Sequence, residues 1–451
     1  MANKGRYTKK RKKTRKKNNK FILFLFIVII VIVCIIIGKR ENENLAITTS
    51  ASIGEIIDII EEGQANVNRY IVYGTHLNVE GALTITPGDI ENVQLVAKKS
   101  SGEEVEIKTT YEYENGNITF TTLDKINLGL DLESLDNENY YILLKITYPN
   151  EEVKYYSLEN DSEYTKPIEY YTLTRNNTNN KIKIEFLTQN SVSALVLNIN
   201  KVSKLPDNVY DVVIDPGHGG SDSGAISTSG DYESDIVLDC GLDLKKKLES
   251  LGLKVLITRD GSEGGDYDIY NIYDEEGRVT MANKSGAKIL ISLHLNSNEF
   301  DLTYGGVEVY AAPNLDLSLA KSFADNIVEK GNTSYSEMES FKEEEGVYVR
   351  TIEIGNKNSG TFKGYKGIYD EAAYLFIIRE IGGIATGAYV NGSSPSYGEN
   401  IYRNSNVGVE GYLIELGYMN VNKDIRNIKN NKESYMQAIA DSINSFYKIR
   451  E

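Results

Sequence analysis

The sequence contains no tryptophan, and its 451 residues include only two cysteines, three histidines and seven prolines. Two cysteines exclude a disulfide framework. Cys34 falls inside a long apolar run and Cys240 on the apolar face of an expected helix, so neither an intrachain bridge nor a redox role is expected. The three histidines form no HExxH pair, which removes that helical zinc signature. Without tryptophan, the tyrosine-rich first half gives no specific sign of carbohydrate binding, and its tyrosines fit a β-sheet core and edge equally well.

Acid is absent from residues 1–20, which hold eleven Lys or Arg. The remaining chain has 38 basic against 65 acidic residues, a formal charge of −27. A basic tail can bind nucleic acid, but seventeen consecutive apolar residues follow this one directly (21–37, FILFLFIVIIVIVCIII) and the rest is acidic, so no nucleic-acid partner is expected. Seventeen residues make about 26 Å of helix, enough to span a bilayer with Lys20, Lys39 and Arg40 snorkelling at its ends. The run is longer than the core of a cleaved signal peptide and is followed by Lys-Arg-Glu-Asn. The expectation is a single-pass anchor in a bacterial cytoplasmic membrane, with the N-terminus cytoplasmic and the remainder outside.

Five segments are expected: a basic tail (1–20), a transmembrane helix (21–38), a linker with a short helix (39–67), a β-sandwich-like domain (68–203) and an α/β domain (207–451). Ser52 and Glu55 have capping-box spacing ahead of Ile56, Ile57, Ile59 and Ile60, which predicts the short helix. From Tyr70 the period changes to two: Val105, Ile107, Thr109, Tyr111 and Tyr113 alternate, Asn115-Gly116 gives a hairpin signal, and Ile118 and Phe120 resume. Such a domain is read as a spacer or protein-binding module, with a protein partner as its expected ligand, and its His76 as structural. After Pro206, apolar strands alternate with amphipathic helices, which indicates a parallel sheet. The expected fold is α/β, a mainly parallel open sheet flanked by helices, preceded by an all-β sandwich-like domain and one N-terminal transmembrane helix.

The stretch VVIDPGHGGSDSGA (212–225) organises the α/β part. An apolar strand stops at Asp215-Pro216, glycines turn the chain, and His218 is left at the strand's carboxyl end, where open α/β sheets bind ligands. His294 ends another strand, Glu415 ends a third, and Glu233 opens the helix after the first. On one sheet edge these four could meet. Two imidazoles and one carboxylate leave a fourth zinc position open to water, the pattern of catalytic zinc, and a second carboxylate could act as acid and base.

Five dispersed segments, VVIDPGHGGSDSGA, DYESDIVLD, ISLHLNSN, GGVEVY and LIELGYMNVNKD, resemble the zinc-dependent N-acetylmuramoyl-L-alanine amidases of bacterial walls, in the family's order from Val212 to Tyr447. The resemblance implies that His218, Glu233 and His294 hold Zn2+, that Glu415 is catalytic, and that the substrate is peptidoglycan, cut between muramic acid and the first L-alanine of the stem peptide. It also implies an arginine ahead of the last strand, for which Arg379 and Arg350 compete. Either would bind a stem-peptide carboxylate or sit in a surface ion pair. Asn296 is a further substrate-binding candidate, and Asp215 a candidate for orienting His218 or capping the turn. A zinc peptidase acting on wall peptides and a non-catalytic wall-binding scaffold are the competing readings.

Overall fold

The isoleucines after Ser52 do not build an α-helix. Two short 3-10 turns, Ile53–Glu55 and Ile57–Ile59, lead directly into a 14-residue strand, β1 (Ile60–Tyr73), which begins inside the segment read as linker. The capping box fails because Glu55 turns away from Ser52 and accepts a hydrogen bond from the Tyr141 hydroxyl at 2.7 Å. β-branched isoleucines suit a half-buried extended strand better than an isolated helical turn.

The computed structural model describes residues 52–122, 128–161, 166–263, 276–298, 304–313, 315–353, 371–381 and 405–450. The basic tail, the apolar run 21–37 with its expected membrane span, and residues 39–51 lie outside them. Among the described residues no helix is long and apolar enough to cross a membrane.

β1 is followed by β2 (His76–Thr84), β3 (Asn92–Lys99), β4 (Glu104–Ile107), β5 (Thr110–Glu114) and β6 (Asn117–Thr121). Next come β7 (Leu130–Asp131), β8 (Tyr140–Thr147), β9 (Val153–Asn160), β10 (Ile168–Tyr171), β11 (Asn179–Gln189) and β12 (Val192–Val202). Asn115 and Gly116, both at positive φ (49° and 86°), close the β5–β6 hairpin as their sequence predicts. The strands do not form the two separate antiparallel sheets of a sandwich. They belong to one continuous hydrogen-bonded sheet, and β1 pairs parallel with β9. The long β1 makes this possible: its first half pairs with β9, a bulge follows Val67, and its second half pairs with β2. Ile168 of β10 and Phe120 of β6, far apart along the sheet, share one core, so the sheet curls back on itself.

The second part runs β13 (Val212–Pro216), α1 (Glu233–Ser250), β14 (Val255–Ile257), α2 (Arg278–Lys284), β15 (Ile289–Asn296), β16 (Glu308–Ala311) and α3 (Ser318–Gly331). It continues with β17 (Lys342–Glu344), β18 (Val347–Tyr348), β19 (Thr351–Glu353), β20 (Glu371–Ala373), α4 (Phe376–Ile381), β21 (Val407–Gly408), β22 (Glu410–Tyr418) and α5 (Asn422–Tyr447). Seven strands form one sheet in the order β14-β13-β15-β22-β16-β18-β17. The first four are mutually parallel; β16 reverses against β22, and β17 reverses against β18. Within the acidic run Glu337–Glu345, Lys342–Glu344 forms the edge strand of this sheet.

Alternation along the strands divides the two faces. Val212, Ile214, Ile289, Ile291, Tyr412 and Ile414 face α1, α3 and α5, where Val237, Cys240, Leu244 and Leu248 of α1 are fully buried. Each such aliphatic side chain contributes roughly 1.5–3 kcal/mol of transfer free energy. Burial pushes the Cys240 thiol up to about 12, and the residue is part of this core. Val213, Leu290 and Leu413 face α2 and α4 on the other side. The same face carries Asp215, Ser292, His294, Glu415 and Glu308 toward the carboxyl ends of the parallel strands. That face is thus apolar where helices cover it and polar beyond them.

The two parts belong to one compact unit, Ser50–Glu451. β21 pairs with β1, the buried Asp211 carboxylate accepts from Thr174 at 2.8 and 2.9 Å, and Arg175 donates to the Tyr447 carbonyl at 2.6 Å. Between them lies a cavity of about 270 Å³ lined by His76, Asp131, Glu133, Arg175, Asp316 and Glu410 among others. His76 is held there by Thr75 Oγ1, 3.1 Å from its Nδ1.

Candidate metal centre

Three of the predicted residues converge. One ligand atom from each of His218, Glu233 and His294 lies within 4.8 Å of the other two, a set that could hold a metal ion. Glu233 Oε1 stands 3.0 Å from His218 Nε2 and 3.1 Å from His294 Nδ1, and it also accepts the Leu295 N–H at 2.9 Å. Its second oxygen accepts the Ala225 N–H at 3.0 Å. The rings meet edge to face, with centroids 4.9 Å apart. Burial works against charge on Glu233, yet the two imidazoles hold its carboxyl far below the usual range. Burial likewise opposes a charged His218, but Glu233 and Asp222 raise it above the ordinary histidine value.

The glycines of the 212–225 stretch are needed for the approach itself. A Cβ on Gly224 would stand 2.7 Å from Glu233 Oε2 and 2.8 Å from His218 Cδ2, and one on Gly217 would overlap the His294 ring. His218 itself takes a left-handed conformation, φ 59°, uncommon for a residue other than glycine. Two buried arginines brace this turn. Arg259 donates to the carbonyls of Pro216, Gly217 and Ser234 at 2.7–2.9 Å, and Arg278 joins Asp215 to the His218 carbonyl.

Asp215 does not orient the His218 ring. Its oxygens are taken by Thr258, Ser292 and Arg278, with which it makes a buried ion pair at 3.0 Å. The ring partner is Asp222, whose Oδ2 lies 2.7 Å from His218 Nδ1 and whose Oδ1 accepts the Gly224 N–H. Asp222 sits four residues past His218 in the quoted motif, so its identity was visible there and its role was not.

Glu415 is the direct register partner of His294 on the neighbouring parallel strand. Among the described residues its Oε2 is buried without a hydrogen-bond partner. Burial, followed by the nearby Glu233 and Glu308 carboxylates, raises its carboxyl well above the usual range.

The three substrate-binding candidates are placed differently. Asn296 stands beside the site, but its Nδ2 donates to Glu308 at 2.9 Å and its Oδ1 accepts from Ser297 N, so both polar ends are engaged. Arg379 is buried in α4, donating to Glu380 and to the carbonyls of Ala373 and Tyr374. Arg350 lies over the Tyr374 ring at 3.6 Å and the Phe341 ring at 5.0 Å. The pairing of β18 with β16 carries the chain past Tyr348 toward the Tyr412 level, away from Glu415. Neither arginine reaches the cluster: one is consumed by its own turn and the other is directed to the far end of the sheet.

The donor set suits zinc. Two imidazole nitrogens and a carboxylate match a three-ligand site with an open position, Asp222 supplies the hydrogen bond that fixes the first imidazole, and both imidazoles keep about a fifth of their side-chain surface accessible.

An open α/β sheet bearing a two-histidine, one-glutamate cluster and a further carboxylate at its strand ends is an arrangement that could hold a catalytic metal ion with one position open. Residues 212–361 match the Amidase_3 family, described as N-acetylmuramoyl-L-alanine amidase. Over 109 residues the chain is 34% identical to the N-acetylmuramoyl-L-alanine amidase AmiA of Escherichia coli (strain K12), covering 24% of this chain and 35% of that one. Over 87 residues it is 47% identical to the amidase AmiC of Neisseria meningitidis serogroup B (strain MC58), 19% of each chain. A solved N-acetylmuramoyl-L-alanine amidase from Clostridium difficile 630 aligns with 54% of this chain and 100% of its own, at 20% identity and a TM-score of 0.35. The chain spans about a third or less of the length of these two curated relatives. Glu415 lies beyond the residues matched to the family.

Proposed function

We propose that the protein is a zinc-dependent N-acetylmuramoyl-L-alanine amidase that hydrolyses the bond between N-acetylmuramic acid and the L-alanine of peptidoglycan stem peptides. The observation that carries this reading is the convergence of His218, Glu233 and His294 beside a carboxylate, Glu415, with an unpartnered buried oxygen. Bound zinc would activate water and polarise the scissile carbonyl, and its charge would bring the neighbouring carboxyl down.

The chain's own groups have distinct tasks. Asp222 accepts at His218 Nδ1, which leaves Nε2 toward Glu233 and the ligand position. Glu233, His218 and His294 would hold the ion. Glu415 Oε2 takes the proton of the attacking water and returns it to the departing L-alanine nitrogen. The hairpin clasping Glu233 through Ala225 N–H and the arginine-braced turn under His218 keep the ligands in place before substrate arrives.

The apolar run 21–37 behind eleven cations supports a site on the outer side of the cytoplasmic membrane, facing the wall. The strand-rich part, packed against the Amidase_3 part, supports a role in holding that site toward a wall or protein partner.

The test is chemical. The zinc-loaded full chain, solubilised and incubated with peptidoglycan, should create new L-alanine amino termini and no new reducing sugar ends. New amino termini on other residues would establish a peptidase instead, and no new ends at all would leave a wall-binding scaffold.

A further inference from the structure

We propose that Glu308 is a positioning residue for this site, fixing the ends of the two strands that carry His294 and Glu415. The inference rests on the amidase reading and deepens it.

Glu308 opens β16 and is fully buried. Register places it directly opposite Glu415, which in turn is directly beside His294. Partners directly across a ladder point to the same face, so His294, Glu415 and Glu308 form a row across three adjacent strands. Three donors converge on Glu308. Tyr310 and Asn296 both bond Oε2 at 2.9 Å, and the Tyr418 hydroxyl bonds Oε1.

The positions of these donors matter more than their number. Asn296 is two residues past His294, and the β15–β22 register is irregular between them. Tyr418 is three residues past Glu415 on the same strand. One carboxylate therefore ties the outgoing ends of both functional strands to β16. The tie closes on the other side through the Met419 N–H, which donates to the Asn296 carbonyl at 2.7 Å.

A purely structural element would not be built this way. Like charges directly opposite in a ladder destabilise a sheet, and burying two neighbouring carboxyls is costly unless their partners compensate. A packed apolar residue at 308 would suit the strand better, because the flanking Val307 and Val309 are already fully buried. The fold instead saturates Glu308 with donors and leaves Glu415 Oε2 without any. Glu308 touches no reacting atom in this arrangement; it acts through Asn296, Tyr418 and the shared strand pair.

Glu308→Gln, in the zinc-loaded full chain, tests this. It keeps the shape but sets an amide N–H2 against donors. On peptidoglycan, kcat should fall by about 10- to 100-fold, the scale of a small misplacement of catalytic groups, with KM within about twofold and one zinc per chain. Tyr418→Phe, which removes one donor and keeps the carboxylate, should lower kcat in the same direction by less. Wild-type kcat in Glu308→Gln overturns the proposal; if that variant fails to fold, unchanged kcat in Tyr418→Phe does so. A wild type that releases no L-alanine amino termini sinks the amidase reading alone. The visible bands of the cobalt(II)-loaded proteins then decide on Glu308: a shift between wild type and variant supports the assignment, and superimposable spectra reject it.

Discussion

Asp222 stands 2.7 Å from the Nδ1 of His218, on the opposite edge of the ring from Glu233. This hydrogen bond selects the tautomer that leaves Nε2 free for a metal and holds the ring in a left-handed turn. Asp222→Ala should lower zinc affinity by about 10- to 100-fold, as removal of such partners does, while the fold persists. Competition with a chromophoric chelator would measure it. Affinity equal to wild type would show that Arg278 and the turn alone orient the imidazole.

The ligands and the proton carrier should separate experimentally. His218→Ala, His294→Ala and Glu233→Ala each remove one of three donors and should lose zinc and turnover together. Glu415→Gln should keep zinc and lose turnover by about 10²–10⁴, the usual contribution of a general acid–base. Zinc content by atomic absorption, read beside the rate of L-alanine amino-terminus release, decides the assignment. Loss of zinc in Glu415→Gln would make that residue a ligand.

What could be read in advance follows from how local each feature is. His218, Glu233 and His294 each sit where an apolar run or a helix starts or stops, so strand-end logic allowed them to meet, and the resemblance of the motifs around them singled them out as a ligand set. Asp222 and Glu308 lay inside quoted motifs, but their partners are set by a turn and by pairing with a strand over a hundred residues away. The curled sheet of the first part was equally hidden. It depends on a bulge after Val67 and on β1 pairing parallel with β9, neither of which leaves a trace in alternation. Arg379 and Arg350 were candidates through the resemblance, which implies an arginine ahead of the last strand; the burial of one and the aromatic stacking of the other depend on tertiary contacts that no motif shows.

The joint between the two parts should respond to pH through Glu410. Burial first, then Asp316 and Asp131, push its carboxyl up to about 8, against an ordinary value of 4.5. His76, Asp131, Glu133, Arg175 and Asp316, with the hydroxyls of Tyr73, Tyr412 and Tyr447, surround it. A raised carboxyl means that the folded state binds the extra proton. Its contribution to stability is therefore complete below 4.5, declines as pH rises toward about 8, and is gone above that. Glu410→Gln should remove this decline, so its urea midpoint should gain on wild type by the equivalent of a few kcal/mol between pH 5 and pH 9. Burial lowers the His76 value, an effect confined to acid that both proteins share. Parallel midpoints over the whole interval would show that Glu410 does not hold its proton in the folded joint.

Gly224 and Gly230 allow strain and crowding at the metal cluster to be distinguished. Both have positive φ, 63° and 85°, so alanine at either position costs about 1–2 kcal/mol in backbone conformation alone. Their surroundings differ: a Cβ at 230 meets nothing within 4 Å, whereas one at 224 would stand 2.7 Å from Glu233 Oε2 and 2.8 Å from the His218 ring. Gly230→Ala should therefore lose some thermal stability and retain zinc and activity. Gly224→Ala should lose comparable stability and also lose zinc, because Glu233 must move and the Ala225 N–H that holds its second oxygen moves with it. Melting temperature and metal content measured on both variants separate the two effects. If Gly224→Ala binds zinc as wild type does, the close approach of the turn is not what brings the ligands together, and the cluster must be assembled by the strand ends alone.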